Sequence, residues 1–341
     1  MRRIDPAGDS ESLHACYQIY LAAMAVDDPS GPVMSRPSFM GWLVLGWTED
    51  PSETWLATDE HGSAIGWYLL GLPQRENRTL APVSVFVPPA RRRAGVGTRL
   101  LGHAAARARQ DGRSVLSGDA RDGTAGVEFA RAAGARQGGT ELRQVLRLDA
   151  IPAGRLAALR AEAEPAARGY SILSWLGLVP ADELAAVAAV TRAVADMPHD
   201  AGHEAQLWDA DRVHRAGRRV TMQGLRYYTV AARSDAARSD AARSVATGEL
   251  VALSQLGVDP LNSTWGIQEL TAVARPHRGH RLGLLLKLVM LDLLAEREPR
   301  LTRILTGNGD DNKHMISINV AIGFELLDRW LSWEVDAGQV P

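Results

Sequence analysis

The stretch Val87-Pro88-Pro89-Ala90-Arg91-Arg92-Arg93-Ala94-Gly95-Val96-Gly97-Thr98 decides how this sequence is interpreted. Residues 82–87 are β-branched and aromatic, as in a buried strand, and the two prolines then end strand pairing. Gly95 and Gly97 let the backbone approach a ligand closely, and residues 100–105 give the following helix one apolar face. Because the first turn of a helix carries free N–H groups, the arginine-rich stretch predicts a turn that binds a pyrophosphate.

A second stretch repeats this pattern 186 residues later, so that Val87 corresponds to Val273. It reads Thr271-Ala272-Val273-Ala274-Arg275-Pro276-His277-Arg278-Gly279-His280-Arg281-Leu282-Gly283-Leu284. Strand, proline, arginine, glycine turn and leucine-rich helix come in the same order. The chain is therefore predicted to be an internal duplication.

Both stretches resemble motif A of the GNAT acetyltransferases, V-x-P-x-x-[QR]-x-x-G-x-[GA], whose turn holds the pyrophosphate of coenzyme A. The first copy matches with Val87, Arg92, Gly95 and Gly97. In the second copy Arg278 and Gly283 fit, whereas Arg281 replaces the middle glycine and the proline is shifted to Pro276. The chain thus resembles a tandem GNAT, a layout found among acetyltransferases of antibiotic gene clusters.

The resemblance implies an α/β (α+β) fold with two GNAT domains, each a mixed, mostly antiparallel splayed sheet flanked by helices. Residues 1–150 fit the order β-α-α-β-β-β-α-β-α-β and form the predicted N-terminal domain. Residues 151–167 are rich in Ala, Arg, Glu and Pro and are predicted to be a linker with a short surface helix. Residues 168–341 repeat the order, and the five-residue repeat over 231–244 is predicted to be an extended, mobile hairpin loop.

Coenzyme A contacts are carried over by position from the family. The pantetheine arm lies between the fourth and fifth strands of a GNAT domain, where it hydrogen-bonds the backbone like an added strand. The residues expected at that gap are Val85, Phe86, Val87, Thr271, Ala272 and Val273. The residues expected at the two turns are Arg92, Arg93, Ala94, Gly95, Val96, Gly97, Thr98, Arg278, Gly279, His280, Arg281, Leu282, Gly283 and Leu284; Asn312 keeps an asparagine that is usual in the family.

The resemblance assigns the chemistry to the second copy. The family commonly takes its base from a glutamate on the fourth strand, and Glu269 is the candidate there, with pairing to an arginine as the alternative. The N–H of Val273 is expected to stabilise the oxyanion. Asn319 takes the place of the family's acidic tyrosine, so the proton for the leaving thiolate is expected from water or is not needed. The fourth strand of the first copy carries no acid, and that domain is expected to hold acetyl-CoA structurally.

Composition limits the partners. Lys and Arg number 38 against 40 for Asp and Glu, a net charge of −2, so the chain has no general basic field for nucleic acid or an acidic membrane. One cysteine, Cys16, excludes an internal disulfide, and the N-terminus lacks a leader pattern, which together favour the cytoplasm. The apolar run 282–294 is too short to span a bilayer and predicts a core helix. His277 and His280 lack further ligands, so no metal is expected.

Two functions remain open from the sequence. The first is an N-acyltransferase that moves an acetyl or other acyl group from acyl-CoA to a small-molecule amine. The second is a non-catalytic acyl-CoA-binding protein, which is favoured because Ala130 and Asn319 take the tyrosine positions of the two copies. The acceptor is an amine, an aminoglycoside, a peptide N-terminus or a hydroxyl. The motifs do not specify which, because the residues that bind it lie on variable loops. A monomer or a homodimer is expected.

Overall fold

The computed structural model describes residues 1–6, 8–45, 50–192, 204–235 and 248–340. These residues divide into two compact units. Unit 1 contains Met1–Leu142 and Asp328–Pro341 with Glu204 and Ala205, and unit 2 contains Arg143–Pro198 and Gln206–Leu327. The predicted architecture of two α/β units is confirmed, with one difference in how the last strands are shared.

Unit 1 follows the predicted order of elements. It begins with β1 (Arg2–Ile4), α1 (Ser10–Asp27), α2 (Arg36–Leu45), β2 (Ser52–Thr58), β3 (Ala64–Gly71) and β4 (Leu80–Phe86). It continues with α3 (Val96–Gln110), β5 (Val115–Arg121), α4 (Ala125–Ala132) and the first part of β6 (Arg136–Arg147). Strands β1 to β4 pair antiparallel in sequence order, and β4 pairs parallel with β5.

Unit 2 repeats this arrangement with one additional helix at its start. Its elements are α5 (Arg155–Ala166), β7 (Tyr170–Leu176), α6 (Leu184–Thr191), α7 (Ala210–Met222), β8 (Arg226–Ser234) and β9 (Leu250–Val258). They are followed by β10 (Trp265–Val273), α8 (Leu282–Arg297), β11 (Arg303–Gly309), α9 (Lys313–Ile322) and the start of β12 (Glu325–Asp336). Strands β7 to β10 are antiparallel, and β10 pairs parallel with β11.

The last strands are exchanged between the two copies. In unit 1, β5 pairs antiparallel with the C-terminal part of β12, from Trp330 opposite Arg121 to Asp336 opposite Val115. In unit 2, β11 has β6 as its outer neighbour. The compact units therefore differ from the contiguous ranges 1–150 and 168–341, because each sheet is completed by a strand from the other half of the sequence.

The cores explain why the two motif helices lie where they do. In unit 1 the apolar face of α3 is buried against β3, β4 and β5, with Leu100 0% exposed. Burying such a leucine contributes about 2 kcal/mol. In unit 2, α8 is buried on most sides, as predicted for 282–294, because α5 packs against it as well as the sheet. The helix predicted in the linker is therefore part of the core of unit 2 through the buried Ala163.

Two local predictions need correction. The repeat over 231–244 is not a loop throughout, because residues 231–234 belong to β8 and pair with β7 and β9; residues 236–247 lie outside the described residues. Helix α7 was not predicted; it begins after the capping residue Asp209 and buries Val213 and Val220. In the described part of the chain, no helix combines the length and apolarity that a membrane crossing requires.

Candidate active site

The first motif forms an open turn with free backbone donors. Arg93 and Gly95 both take the left-handed conformation, with φ of 63° and 75°. The first hydrogen bond of α3 runs from the N–H of Arg99 to the carbonyl of Gly95, so the N–H groups of Val96, Gly97 and Thr98 have no acceptor within the helix. A Cβ placed on Gly95 would meet nothing within 4 Å. The turn thus presents several N–H groups to open space, which fits an anion such as a pyrophosphate.

Arg92 contacts the protein itself through its side chain. Its guanidinium donates to both carboxylate oxygens of Asp27 over 2.8 and 2.6 Å, and its Nε donates to the carbonyl of Val87 over 3.1 Å. This ion pair ties the turn to the end of α1. The side chain therefore stabilises the turn, whereas the neighbouring Arg93 is exposed and provides a positive charge at its surface.

A gap opens beside β4 next to this turn. The paired register with β5 ends at Pro82 opposite Ser117, while pairing with β3 continues to Phe86 opposite Trp67. The side chains of Val85 and Val87 pack into the core, and the ring of Phe86 stacks on Trp67 at 4.5 Å. These three residues therefore present only their backbone groups to a ligand in the gap, as the added-strand mode of binding requires.

The second turn has the same backbone shape with different side chains. Gly279 and Arg281 take φ of 88° and 53°, and the Nε of Arg278 donates to the carbonyl of Val273 over 3.2 Å. The side chain of Arg281 also reaches Glu162 on α5 over 2.8 Å. The next three residues, Leu282, Gly283 and Leu284, are buried, whereas Thr98 of the first turn is exposed. The second turn is therefore more enclosed than the first, and an arginine occupies the position of the glycine.

In unit 2, a backbone N–H group points into the corresponding gap beside β10. Pairing of β10 with β11 ends at Gln268 opposite Thr306, while pairing with β9 continues to Val273 opposite Ala252. The N–H of Ala274 donates to Val251 on β9 over 2.8 Å. Because N–H groups alternate in direction along a strand, the N–H of Val273 faces away from β9, toward the gap. Thr271 and Ala272 line the same stretch, with Thr271 contacting Ser254 through its hydroxyl at 3.0 Å.

Glu269 lies at an irregularity of β10. The register with β9 shifts between Gln268 and Leu270, so Glu269 is the extra residue of a β-bulge. Bulges re-aim side chains and are common next to active sites. The bulge places Glu269 on β10 next to the point where pairing with β11 ends, beside the gap.

Two residues that the sequence did not identify hold Glu269. Its Oε2 accepts from Arg219 Nη2 over 2.9 Å and from the hydroxyl of Tyr227 over 2.8 Å. Burial, together with the Glu269 carboxylate, holds the pKa of Tyr227 well above its usual value, so this hydroxyl stays protonated and donates. Arg219 comes from the unpredicted helix α7 and Tyr227 from β8. The arginine pairing considered for Glu269 is therefore present.

The two asparagines make structural contacts. Asn312 is the N-cap of α9, and its side chain accepts from the N–H of Met315 over 3.3 Å. Asn319 is 0% exposed, and its amide donates to Gln144 over 2.9 Å. An amide cannot protonate a thiolate as a tyrosine would, and the burial of Asn319 leaves it no solvent-facing atom. The position that a tyrosine usually occupies is thus used for packing.

The two histidines of the second turn contact Tyr170. The Nδ1 of His277 lies 3.0 Å from the hydroxyl of Tyr170, and the ring of His280 lies 5.4 Å from the tyrosine ring. Among the residues that the structure describes, no group of three His, Cys, Asp or Glu side chains is arranged to hold a metal ion.

Comparison with known proteins extends this description. The family profile described as "Acetyltransferase (GNAT) family" matches residues 13–134. A tandem GNAT protein from the clavulanic acid biosynthesis pathway is 26% identical, with a TM-score of 0.79 and 98% of each chain covered.

Two further solved structures share the fold over nearly the whole chain. A GCN5-related N-acetyltransferase from Sphaerobacter thermophilus is 15% identical with a TM-score of 0.66, covering 98% of this chain and 95% of the other. A putative acetyltransferase from Pyrococcus horikoshii is 14% identical with a TM-score of 0.55, covering 98% and 88%. At such identities the likeness concerns the fold alone. No curated protein sequence matches the chain.

Proposed function

Because this chain is a tandem member of the GNAT family of acetyltransferases, we propose that unit 2 acetylates a small-molecule amine while unit 1 holds acetyl-CoA as a structural ligand. The observation that carries the proposal is the arrangement of β10, where the N–H of Val273 faces the gap and Glu269 stands four residues earlier. The corresponding strand of unit 1, β4, has no carboxylate. The similarity to a protein of the clavulanic acid biosynthesis pathway supports a small molecule as acceptor.

In this reaction Glu269 takes a proton from the acceptor ammonium, directly or through a water molecule. The amine nitrogen then forms a bond with the thioester carbonyl carbon, and the Val273 N–H stabilises the oxyanion that develops. The carbon–sulfur bond breaks, and the second proton that the nitrogen loses as the amide forms passes through water to the thiolate. No described side chain is assigned the role of the acid, because Asn319 is buried and hydrogen-bonded to Gln144.

Unit 1 is proposed to bind rather than react. Its turn has the open space over Gly95 and the free N–H groups that a pyrophosphate needs. Its Arg92 is held by Asp27, so the turn is fixed before the ligand arrives. A fixed turn loses little entropy on binding, which supports a coenzyme that is retained rather than turned over.

The proposal is tested with Glu269→Gln, which keeps the size of the side chain but cannot accept the proton. We expect turnover to fall at least about 100-fold, measured as release of the coenzyme A thiol with a panel of amines. The control is Glu296→Gln, which removes an exposed carboxylate of α8 and should leave turnover unchanged. Undiminished turnover in Glu269→Gln removes Glu269 from the mechanism.

A non-catalytic acyl-CoA-binding protein is the second candidate, favoured by the buried asparagine in place of the tyrosine. Native mass spectrometry of the purified protein with a series of acyl-CoAs separates the two functions, because it counts occupied sites and ranks acyl groups. Retained acyl-CoA without thiol release from any amine would establish the binding protein and refute the acetyltransferase.

A further inference from the structure

The ion pair between Arg219 and Glu269 has a geometry that points to the chemistry of the acceptor. The Nη2 of Arg219 lies 2.9 Å from the Oε2 of Glu269, and the two side chains are only 12% and 26% exposed. Arg219 lies on α7 and Glu269 on the bulge of β10, beside the strand end proposed to bind the thioester. A partly desolvated pair of opposite charges therefore stands where an acceptor must approach.

The hydrogen bonds of Glu269 are concentrated on one oxygen. Both Arg219 and the hydroxyl of Tyr227 donate to Oε2, whereas Oε1 accepts no hydrogen bond from any residue in the described ranges. Tyr227 is buried, so its bond fixes the carboxylate even when Arg219 changes partner. Oε1 is thus the oxygen left for an ammonium group of a ligand.

We infer that the acceptor is an α-amino acid, or a compound that carries the same adjacent ammonium and carboxylate groups. Its carboxylate binds the planar guanidinium of Arg219, and its ammonium binds Glu269 and transfers its proton there. The ligand replaces one internal ion pair by two pairs with the protein. This inference rests on the proposed function, because it places the acceptor amine at the candidate base.

The spacing selects the α-amino acid. Since the two protein charges are 2.9 Å apart, the ligand charges that match them must also be close together. The ammonium and carboxylate of an α-amino acid are held about 3 Å apart by covalent geometry, whereas those of a γ-amino acid are free to separate much further. Aminoglycosides and peptide N-termini have no carboxylate beside the amine, so they would pair with Glu269 alone and gain nothing from Arg219.

The test uses the full chain loaded with acetyl-CoA and three small probes of nearly equal size: 2-aminobutyrate, 4-aminobutyrate and 2-aminobutyramide. Calorimetry measures the dissociation constant of each probe, and thiol release measures its acetylation. We expect 2-aminobutyrate to bind at least about tenfold more tightly than either of the others, the difference typical of a charge-assisted hydrogen bond. Equal affinity for the three probes, or binding of none of them, overturns the inference.

A variant then tests whether Arg219 causes the preference for 2-aminobutyrate. Arg219→Gln should bind 2-aminobutyrate and 2-aminobutyramide equally, whereas Arg218→Gln, which alters the exposed neighbour on α7, should keep the wild-type preference. A preference that survives in Arg219→Gln overturns the assignment. The probe comparison on the wild-type protein does not depend on the folding of any variant.

The two measurements also separate this inference from the proposed function. Preferential binding of 2-aminobutyrate without thiol release supports the site and refutes the acetyltransferase. Acetylation of the amide and the γ-amino acid as readily as of 2-aminobutyrate supports the acetyltransferase and refutes the site.

Discussion

Gly95 and Arg281 take the same left-handed backbone conformation, with φ of 75° and 53°, at the residue that precedes α3 and α8. For a glycine this conformation carries no steric cost, whereas for an L side chain such as arginine it costs roughly 1 kcal/mol. The second copy has kept the shape of the turn although its sequence no longer favours it. The two turns share their backbone shape but not their side chains. This favours a ligand contact through the backbone N–H groups rather than through the side chains.

The glycine of the first turn is predicted to be essential for retaining coenzyme in unit 1. Gly95→Glu places a carboxylate in the open space over the turn, where it repels a pyrophosphate, and should remove copurifying acetyl-CoA while turnover persists. Gly112→Glu is the matched control, because Gly112 also has a φ of 75° and open space around it but lies beyond the other end of α3. Native mass spectrometry counts the coenzyme; a loss in both variants, or in neither, contradicts the prediction.

Tyr227 is predicted to support turnover by holding Glu269. Tyr227→Phe removes the donor to Oε2 and should lower kcat about tenfold, because the carboxylate is then positioned by Arg219 alone. Tyr228→Phe is the control, since Tyr228 donates in the same way to the buried Glu298 over 2.6 Å and lies at the next position of β8. Both variants should lose about 1 kcal/mol of stability, and only the first should lose turnover. Steady-state kinetics and thermal unfolding measure the two effects, and equal kcat values would refute the role of Tyr227.

Asn319 is predicted to matter for stability and not for chemistry. Asn319→Ala leaves the buried Gln144 without the donor that lies 2.9 Å away, which should cost about 2 kcal/mol of unfolding free energy. Turnover per folded molecule should remain that of the wild type. Ser317→Ala, on the exposed side of α9, should change neither quantity. Denaturant unfolding and kinetics on the folded protein check both statements, and a loss of kcat without a loss of stability would make Asn319 a catalytic residue.

Lys287 is predicted to destabilise the fold at neutral and acidic pH. Its side chain is 3% exposed, its ammonium lies 5.5 Å from the ring of Phe324, and burial lowers its pKa from 10.5 to about 7. Between pH 7 and pH 10.5 the unfolded chain binds a proton at this residue that the folded chain does not, so the stability of the wild type rises with pH in this window. Below it both states are charged and the cost is complete.

The variant Lys287→Met removes that cost. Its melting temperature should exceed that of the wild type most below about pH 7 and should approach it as the pH rises toward 10.5. Lys313→Met, which changes an exposed lysine of α9, should show no such dependence. A gain that does not vary with pH would show that better packing, rather than the titration of Lys287, is responsible.

The motifs predicted some residues of the candidate site and missed others. The strand and turn of each copy are found at the predicted residues because proline, glycine and β-branched residues act on the backbone locally. Arg219, Tyr227 and Asp27 were missed because each acts through a partner at least about 40 residues away in sequence. Only the cap at Asp209 with Val213 and Val220 could have indicated the helix that carries Arg219.

The sequence by itself determined the duplication, the order of elements in each copy and the position of the two glycine-containing turns, because these depend on neighbouring residues and on hydrophobic periodicity. Only the tertiary structure decided that the last strands are exchanged, that Arg92 and Glu269 are held by ion pairs, and that Asn319 is buried. The reason is that strand partners and ion pairs are chosen by three-dimensional packing, among many residues of suitable type, after the local elements have formed.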